Sequence, residues 1–201
     1  MARPRHASPR RPLLIVVNGP PAAGKTTLAS HLEQALRLPR FSKDWFKEQL
    51  YEIDDGEQWL ELLADRAFSA LLGSTAIRMM FETAELILAA GGSVIIEANL
   101  RPELAGPELA AIEQRSRCRL LQVLVTCERD TLIERFVSRQ SSTERHFGHR
   151  LSDRGVRIGR QLNEPYPRLV IDDTLEFDTT DLDRLDYAPL LRQVRARLAA
   201  E

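Results

Sequence analysis

Runs of apolar residues alternate along the chain with segments whose apolar residues recur every three or four positions. The apolar runs lie at Leu13 to Val17, Ser93 to Ile96 and Leu120 to Thr126, with a shorter one at Leu175 to Phe177. Uninterrupted apolar runs are typical of strands that are buried on both faces of a parallel sheet. The pattern therefore predicts a sheet with these strands in its interior.

The intervals between these runs show helical spacing. Helices are predicted over Thr26 to Leu36, over 60–71 with a continuation through 77–88, and over 103–115. Two more are predicted, one from the end of the run at Thr126 through Arg139 and one from Tyr187 to Leu198. Strands that alternate with helices from end to end predict an α/β fold with helices on both faces of the sheet. No internal repeat or interdomain linker is visible, so residues 13–201 are expected to form one domain.

Composition narrows the classes of protein that fit. The 201 residues carry 28 Lys+Arg and 29 Asp+Glu, a formal net charge of −1, which argues against a protein that coats DNA or an anionic membrane. The two cysteines, Cys118 and Cys127, are too few for a disulfide framework and indicate a reducing, cytoplasmic location. No apolar run reaches the roughly 18 residues of a membrane-spanning helix.

The basic residues are unevenly distributed. Residues 1–12 contain four arginines, three prolines and no acidic residue, so they predict a disordered basic tail on a body of net charge −5. Only three of the 28 basic residues are lysines, and Lys25, Lys43 and Lys47 fall within one 23-residue stretch. Biased coding explains an excess of arginine but not this clustering, which marks the stretch as a candidate site.

The segment Gly19 to Thr27, GPPAAGKTT, lies between the first predicted strand and the first predicted helix. It fits the phosphate-binding pattern G-x-x-x-x-G-K-[ST] in the context that this pattern requires. Glycines let the backbone amides turn inward to phosphate oxygens. The lysine then supplies a point charge, and the hydroxyl after it can bind Mg²⁺. We therefore expect ATP and Mg²⁺ as cofactors, with nucleotide contacts from Gly19, Ala22, Ala23, Gly24, Lys25, Thr26 and Thr27.

A phosphate-binding loop predicts nucleotide binding but not the reaction. A GTPase would carry an Asn/Thr-Lys-x-Asp signature after a later strand, and the only Lys-Asp pair here, Lys43-Asp44, comes too early. Oligomeric motor ATPases usually have a second lid domain and an apolar run that ends in two acids, whereas the run from Ser93 ends in Glu97 alone. These differences favour a small phosphotransferase.

Polar residues at strand ends form the acceptor side of such an enzyme. The segment Phe41 to Lys47 follows the first helix, where the second strand of a wrapped sheet ends at the same edge as the phosphate-binding loop. Asp44 could take the proton of an attacking hydroxyl. The alternatives for this residue are a contact with Mg²⁺ through water and the N-cap of a helix through Leu50. Lys43 and Lys47 could hold acceptor or nucleotide charge, or lie on a solvated helix face. We select Asp44 and Lys47 as contacts of the acceptor.

A further group of polar residues, Glu97, Asn99 and Arg101, lies at the end of the predicted strand that begins at Ser93. This acid could coordinate Mg²⁺ together with Thr26. Asn99 and Arg101, in the turn that follows, could contact the acceptor, since arginine suits bidentate anion binding. An ordinary strand-end turn is the alternative for Asn99 and Arg101.

Residues 140–168 are rich in Arg, Ser and His and poor in apolar residues, which predicts a mobile lid. Arg139 and Arg145 flank its most flexible part, and we expect them to stabilise the charge that develops on the transferred phosphoryl group. Asp178 and Thr179 follow the last strand, where fold analogy places the nucleotide base. A hydrogen-bonded Asx/ST turn explains this pair equally well.

The pieces GPPAAGKTT, SKDWFKE, IIEANLR, RHFGHR and EFDTTD occur in the order found in a known group. Over about residues 13–198 the chain resembles the small P-loop kinases that include zeta toxins, chloramphenicol phosphotransferase and polynucleotide 5′-kinase domains. The resemblance implies a P-loop NTPase fold of the nucleoside-monophosphate-kinase type, with a five-stranded parallel sheet in the order 2-3-1-4-5 and an arginine-bearing lid. It also implies transfer of the ATP γ-phosphoryl group to a hydroxyl, with Lys25 and Asp44 at the family's lysine and acid positions. Glu97 stands where relatives often have Asp.

Three functions remain open at this point. The first is an ATP- and Mg²⁺-dependent kinase of a small hydroxylated acceptor, which the net charge of the body favours. The second is a kinase of nucleic-acid 5′-hydroxyl ends, suggested by the basic tail and the arginine-rich lid. The third belongs to another class, a regulatory ATPase that acts on a protein partner.

Overall fold

A parallel sheet of five strands forms the centre of the molecule. The structure, a computed structural model, describes residues 10–51, 66–140 and 166–200. The strands are β1 (Leu13–Asn18), β2 (Arg40–Ser42), β3 (Val94–Ala98), β4 (Arg119–Thr126) and β5 (Thr174–Asp178). They pair in the order β2-β3-β1-β4-β5, and every pair is parallel. This confirms the strand order that the resemblance implied.

Helices connect the strands. They are α1 (Lys25–Leu36), α2 (Lys43–Tyr51), α3 (Arg66–Ala89), α4 (Pro102–Ser116), α5 (Arg129–Gln140) and α6 (Ala188–Ala199), with a 3₁₀ turn at Leu182–Arg184. From Arg66 onward, the segments predicted at 60–71 and 77–88 form one continuous helix, α3, which passes through Gly73; residues 60–65 lie outside the described residues. A single glycine costs a helix about 1 kcal/mol, and the apolar side chains that α3 packs on the sheet outweigh this cost.

The core consists of two clusters, one on each face of the sheet. Leu13, Ile15 and Val17 of β1 pack with α1 and α6 on one face, whereas Leu14 and Val16 pack with α3 and α4 on the other. Each of these five side chains is at most 1% exposed, and full burial of such a side chain stabilises the fold by about 1.5–3 kcal/mol. The central strand is therefore held on both faces, which gives the loop after it a firm base.

The strand register brings the candidate residues to one edge of the sheet. Ser42 of β2 lies opposite Glu97 of β3, and Asn18 of β1 lies opposite Ala98. Because the strands are parallel, the segments that follow β1, β2 and β3 leave the sheet on the same side.

The amino-terminal segment differs from the prediction at its end. Arg11, assigned to the predicted tail, donates hydrogen bonds from Nε to the carbonyl oxygen of Arg117 at 3.0 Å and from Nη2 to that of Cys118 at 2.7 Å. The chain is thus attached to the start of β4 before β1 begins. Residues 1–9 of the predicted tail lie outside the described residues.

Among the residues that the structure describes, no helix is both long enough and apolar enough to cross a membrane.

Gly19 offers a test of how tightly the loop after β1 packs. A β-carbon at Gly19 would lie 2.5 Å from the carbonyl oxygen of Val125 on β4, where backbone cannot easily move. We expect Gly19→Ala to lower the free energy of unfolding by about 1–3 kcal/mol, because the loop must shift away from β4. Urea titration measures this change.

Gly73→Ala is the matched control, since Gly73 lies inside α3 and a β-carbon there would meet no other described segment within 4 Å. This variant is expected to raise the free energy of unfolding by about 0.5–1 kcal/mol. A Gly19→Ala protein as stable as the wild type would contradict the close approach.

Candidate active site

The loop Gly19 to Gly24 joins β1 to α1 and has the backbone shape of a phosphate-binding nest. Gly24 has φ 80° and Ala22 has φ 66°, both in the left-handed region, and alternating left- and right-handed residues turn successive amides toward one point. The amide of Ala23 closes a turn by donating to the carbonyl oxygen of Pro20 at 3.3 Å. A non-glycine residue held at positive φ, such as Ala22, is typical of functional loops.

Lys25 begins α1 and extends over this loop. Its Nζ donates a hydrogen bond to the carbonyl oxygen of Pro20 at 2.7 Å. Burial lowers the pKa of Lys25 from its ordinary 10.5 to about 8, while the charges of Glu97 and Asp44 act in the opposite direction. Arg139 also lies within electrostatic reach and lowers the pKa further. The ammonium group is therefore coupled to three of the side chains predicted for the site.

Thr26 and Glu97, the two residues predicted to hold a metal, are in direct contact. The hydroxyl of Thr26 donates to Oε1 of Glu97 at 2.9 Å. On the other side of this carboxylate, Nη1 of Arg40 lies 3.6 Å from Oε2. Arg40 was not among the predicted residues, because only the pairing of β2 with β3 brings it next to Glu97.

The carboxylate of Glu97 fits a magnesium ion in its chemistry. Glu97 is 5% exposed, and burial raises its pKa although Lys25, Thr26 and Arg40 favour the charged form. Its Oε2 atom is buried without a hydrogen-bond partner in the described part of the chain. A carboxylate oxygen and a hydroxyl oxygen are ligands that Mg²⁺ prefers, so these two residues suit the ion.

Asp44 lies in the first turn of α2, with a side chain that is 62% exposed. The hydroxyl of Ser42 accepts hydrogen bonds from the amides of Asp44 at 3.2 Å and Trp45 at 3.5 Å. Ser42 is therefore the N-cap of α2, and the alternative that assigned the cap to Asp44 is wrong. Asp44 lies within electrostatic reach of Lys25.

The two lysines of α2 lie in different environments. Nζ of Lys43 is 3.6 Å from Oδ1 of Asp44 and donates to Oδ1 of Asn99 at 3.1 Å, so it joins α2 to the end of β3. Lys47 is instead fully buried, at 0% exposure, and its Nζ lies 5.6 Å from the ring centre of Tyr51. The selection of Lys47 as an acceptor contact stays a prediction, whereas Lys43 is the lysine that contacts two of the predicted site residues, Asp44 and Asn99.

Asn99 and Arg101 flank Leu100 after β3, and both are exposed. Leu100 exchanges hydrogen bonds with the buried side chain of Asn18, its amide donating to Oδ1 at 2.8 Å. The hydroxyl of Tyr166 lies 2.9 Å from the same Oδ1 and 2.7 Å from the carbonyl oxygen of Leu100. This hydrogen-bonded group fixes the turn that carries Asn99 and Arg101. A polar residue that ends an apolar run, as Asn18 does, was a signal the sequence offered.

Asp178 and Thr179, predicted to contact the base, both make hydrogen bonds within the protein, Asp178 to a neighbouring residue and Thr179 to distant segments. Oδ1 of Asp178 accepts hydrogen bonds from the amide of Thr180 at 2.8 Å and from its hydroxyl at 2.6 Å, which is the turn considered as the alternative. Thr179 is 2% exposed, and its hydroxyl lies 2.7 Å from the carbonyl oxygen of Ala23. The side chain of Thr179 thus faces the phosphate-binding loop from beneath.

Two predicted arginines belong to the segment after β4. Arg139 lies near the end of α5 and is exposed, within electrostatic reach of Lys25. Arg145 and residues 141–165 of the predicted lid lie outside the described residues.

A groove of about 410 Å³ opens beside the loop. It is lined by Thr26, Thr27, Ser30, His31, Gln34 and Tyr187. The rings of His31 and Tyr187 stack with their centres 4.0 Å apart. The groove is therefore continuous with the phosphate-binding loop and has an aromatic wall.

The fold and the site define the class of small P-loop kinases. The family model described as an AAA domain (AAA_33) matches residues 14–152, and the chain belongs to this family. No curated protein matches the chain.

Solved structures agree with this assignment. A "putative kinase" from Chloroflexus aurantiacus J-10-fl is 35% identical, with a TM-score of 0.82, over 93% of this chain and 98% of that one. A sugar kinase from Janibacter sp. HTCC2649 is 14% identical, with a TM-score of 0.55, over 94% and 95% of the two chains. A gluconokinase from Sinorhizobium meliloti 1021 is 19% identical, with a TM-score of 0.50, over 94% and 95%. The last two share the fold alone.

The lowered pKa of Lys25 predicts a pH dependence of stability. Between pH 8 and 10.5 the folded state has lost the proton of Lys25 while the unfolded state still binds it. Stability rises with pH wherever the unfolded state binds more protons. As the pH is raised from 8 to 10.5, the free energy of unfolding of the wild type should therefore rise relative to that of Lys25→Met. As the pH is lowered through 8, this gain should be lost.

Urea titrations of both proteins without nucleotide, at several pH values across the window, measure the difference. Parallel profiles for the two proteins would show that the pKa of Lys25 is not lowered by folding.

Proposed function

We propose that the protein transfers the γ-phosphoryl group of ATP, bound with Mg²⁺, to a hydroxyl group of a small-molecule acceptor. The observation that carries the proposal is the electrostatic coupling of Lys25 to both Glu97 and Asp44. Glu97 contacts Thr26, the residue after Lys25, and Asp44 lies in the first turn of α2, where it pairs with Lys43. A phosphoryl group on Lys25 would thus have a metal-binding acid on one side and a proton acceptor on the other.

The nucleotide phosphates bind to the amides of the loop and to the charge of Lys25, at the positive end of α1. The nucleoside extends into the groove beside Thr27, whose wall carries the ring of His31; Tyr187 is stacked between His31 and Phe177. Aromatic rings bind the faces of a base through stacking. The groove supports this placement better than Thr179, whose side chain is buried.

Thr26 and Glu97 hold the magnesium ion when Mg-ATP is bound. The ion supplies positive charge that neutralises the phosphate oxygens. The hydroxyl of Thr26 is already directed by its hydrogen bond to Glu97, so little rearrangement is needed to bind the ion.

Asp44 acts as the general base. It accepts the proton of the acceptor hydroxyl while the hydroxyl oxygen forms a bond to the γ-phosphorus. The bond between the γ-phosphorus and its bridging oxygen breaks, and ADP leaves. Lys43 orients Asp44 and Asn99 through its two contacts, and Asn99 and Arg101 bind the acceptor.

Arg139 stabilises the negative charge that spreads over the transferred group, a role in which an arginine can contribute factors of about 10³–10⁵. Its electrostatic reach to Lys25 supports this role. Arg145, in the predicted lid, is proposed to act with it.

A screen of small hydroxylated compounds with ATP labelled at the γ-phosphate tests the proposal. We expect label on a small molecule with the wild type, and a rate about 10²–10⁴ times lower with Asp44→Asn, since the base is lost. Binding of ATP, measured by calorimetry, should be unchanged. Asp172→Asn, an exposed acid before β5, should react at the wild-type rate.

The same screen decides between the competing functions. Label on the 5′ end of an oligonucleotide would make the protein a polynucleotide kinase. Hydrolysis of ATP without any labelled acceptor, stimulated by a protein partner, would make it a regulatory ATPase. An unchanged rate in Asp44→Asn would remove Asp44 from the mechanism.

Lys43→Met tests whether Lys43 holds Asp44 and Asn99 for the acceptor. Without its contacts to Asp44 and Asn99, we expect kcat/KM for the acceptor to fall about tenfold, a loss in the range of a hydrogen bond to a charged group. The Kd for ATP should stay within about twofold of the wild type, because among the described residues the contacts of Lys43 are to Asp44 and Asn99 and not to the phosphate-binding loop. A twofold change is smaller than the energy of one hydrogen bond. A loss of ATP affinity instead, with the acceptor KM unchanged, would assign Lys43 to the nucleotide.

A further inference from the structure

Thr179, the residue after β5, links three parts of the molecule. It is 2% exposed, and its amide donates to the carbonyl oxygen of Thr126 on β4 at 2.9 Å. Its hydroxyl oxygen lies 2.7 Å from the carbonyl oxygen of Ala23 and 2.9 Å from that of Thr126. The shorter distance is to the phosphate-binding loop.

The carbonyl of Ala23 belongs to the peptide unit that carries the amide of Gly24. The described residues contain no cis peptide bond, and in a trans peptide the C=O and N–H groups point in opposite directions. A carbonyl held toward Thr179 therefore turns the amide of Gly24 away from the core. The methyl group of Thr179 would lie 3.8 Å from a β-carbon at Gly24, so the two residues are in close packing.

Arg135 of α5 holds the segment that carries Thr179. Its Nη2 donates to the carbonyl oxygens of Thr179 at 2.8 Å and Thr180 at 3.0 Å, and its Nη1 lies 3.4 Å from Sγ of Cys127. The hydroxyl of Thr180 also accepts the amide of Glu128 at 2.9 Å. Hydrogen bonds from a charged donor are stronger than neutral ones, so the segment after β5 has little freedom to move.

We propose that Thr179 is a positioning residue of the phosphate-binding loop: its hydroxyl holds the peptide between Ala23 and Gly24 with the amide facing the phosphates, and Arg135 keeps Thr179 in place. The inference rests on the proposed function only in that the loop binds nucleotide phosphates. It replaces the role in base binding that the sequence predicted for Thr179.

Thr179→Val tests the proposal, because it removes the hydroxyl and keeps the shape of the side chain. The probes are Mg-ATP and inorganic tripolyphosphate with Mg²⁺, which has the phosphate chain but no base. Calorimetry is expected to show about five- to tenfold weaker binding of both probes, in line with the loss of one hydrogen bond. Thr179→Ser, which retains a hydroxyl, should restore most of the affinity for both.

Thr174→Val is the matched control at the other end of β5. The hydroxyl of Thr174 accepts from Nε2 of Gln122 at 3.1 Å and donates to the carbonyl oxygen of Ile171 at 2.9 Å. This variant loses similar contacts far from the loop, so both probes should bind as they do to the wild type. Equal losses of affinity in Thr174→Val and Thr179→Val would reduce Thr179 to a stabilising residue.

The two probes separate positioning from base contact. Weaker binding of Mg-ATP with unchanged binding of tripolyphosphate would show that Thr179 contacts the base, and unchanged binding of both would show that the hydroxyl is not needed; either result overturns the inference. A wild-type protein that binds neither probe overturns the proposed function instead.

Arg135→Met tests the same link without altering Thr179. We expect a loss of affinity for both probes in the same direction, and Arg135→Lys should recover part of it. Arg119→Met is the control, since Nη2 of Arg119 donates to the carbonyl oxygen of Arg197 at 2.7 Å at the other end of β4. Wild-type affinity for both probes in Arg135→Met would remove Arg135 from the proposal.

Discussion

The site depends on a close passage of backbone between β1 and β4. At Gly19 the chain runs so near the carbonyl oxygen of Val125 that a β-carbon would lie 2.5 Å from it. Glycine permits this approach because it has no side chain, and the pairing of β1 with β3 and β4 holds the chain at this distance. The loop therefore starts from a point that the core determines, and its amides turn inward from there.

Burial of charge is the second constraint on this edge of the sheet. The same removal from water lowers the pKa of Lys25 to about 8 and raises that of Glu97. Each group partly restores the charged form of the other, and Thr26 and Arg40 add to the stabilisation of the carboxylate. A site of this kind favours a ligand that brings both negative and positive charge, as a metal-bound polyphosphate does.

The location of residues at the ends of strands was predictable from the geometry of a parallel sheet. The carboxyl ends of parallel strands meet at one edge of the sheet, and Glu97, Asn99 and Asp44 lie there for this reason. Which of Lys43 and Lys47 contacts the turn after β3 was not predictable, since both follow the same short strand. The rotation of α2 decides it by burying Lys47 and directing Lys43 to Asn99.

Contacts between segments far apart in the chain could not be predicted from sequence patterns. Arg40 is adjacent to Glu97 only through the pairing of β2 with β3. Thr179 reaches Ala23 across 156 positions of sequence, and a polar turn after the last strand gives no sign of such a contact. The turn of Asp178 with Thr180 was one of two alternatives, and its local hydrogen bonds are those a short polar side chain makes with its own backbone.

The sequence by itself determined the α/β class, the central strands and the phosphate-binding loop. Each of these features depends on residues that are close in sequence, either through the spacing of apolar side chains or through glycines in a tight loop. The tertiary structure alone decided which lysine contacts Asn99, which hydroxyl caps α2 and which side chain reaches the carbonyl oxygen of Ala23. These outcomes depend on helix rotation and strand pairing, which are set by the packing of segments far apart in the chain.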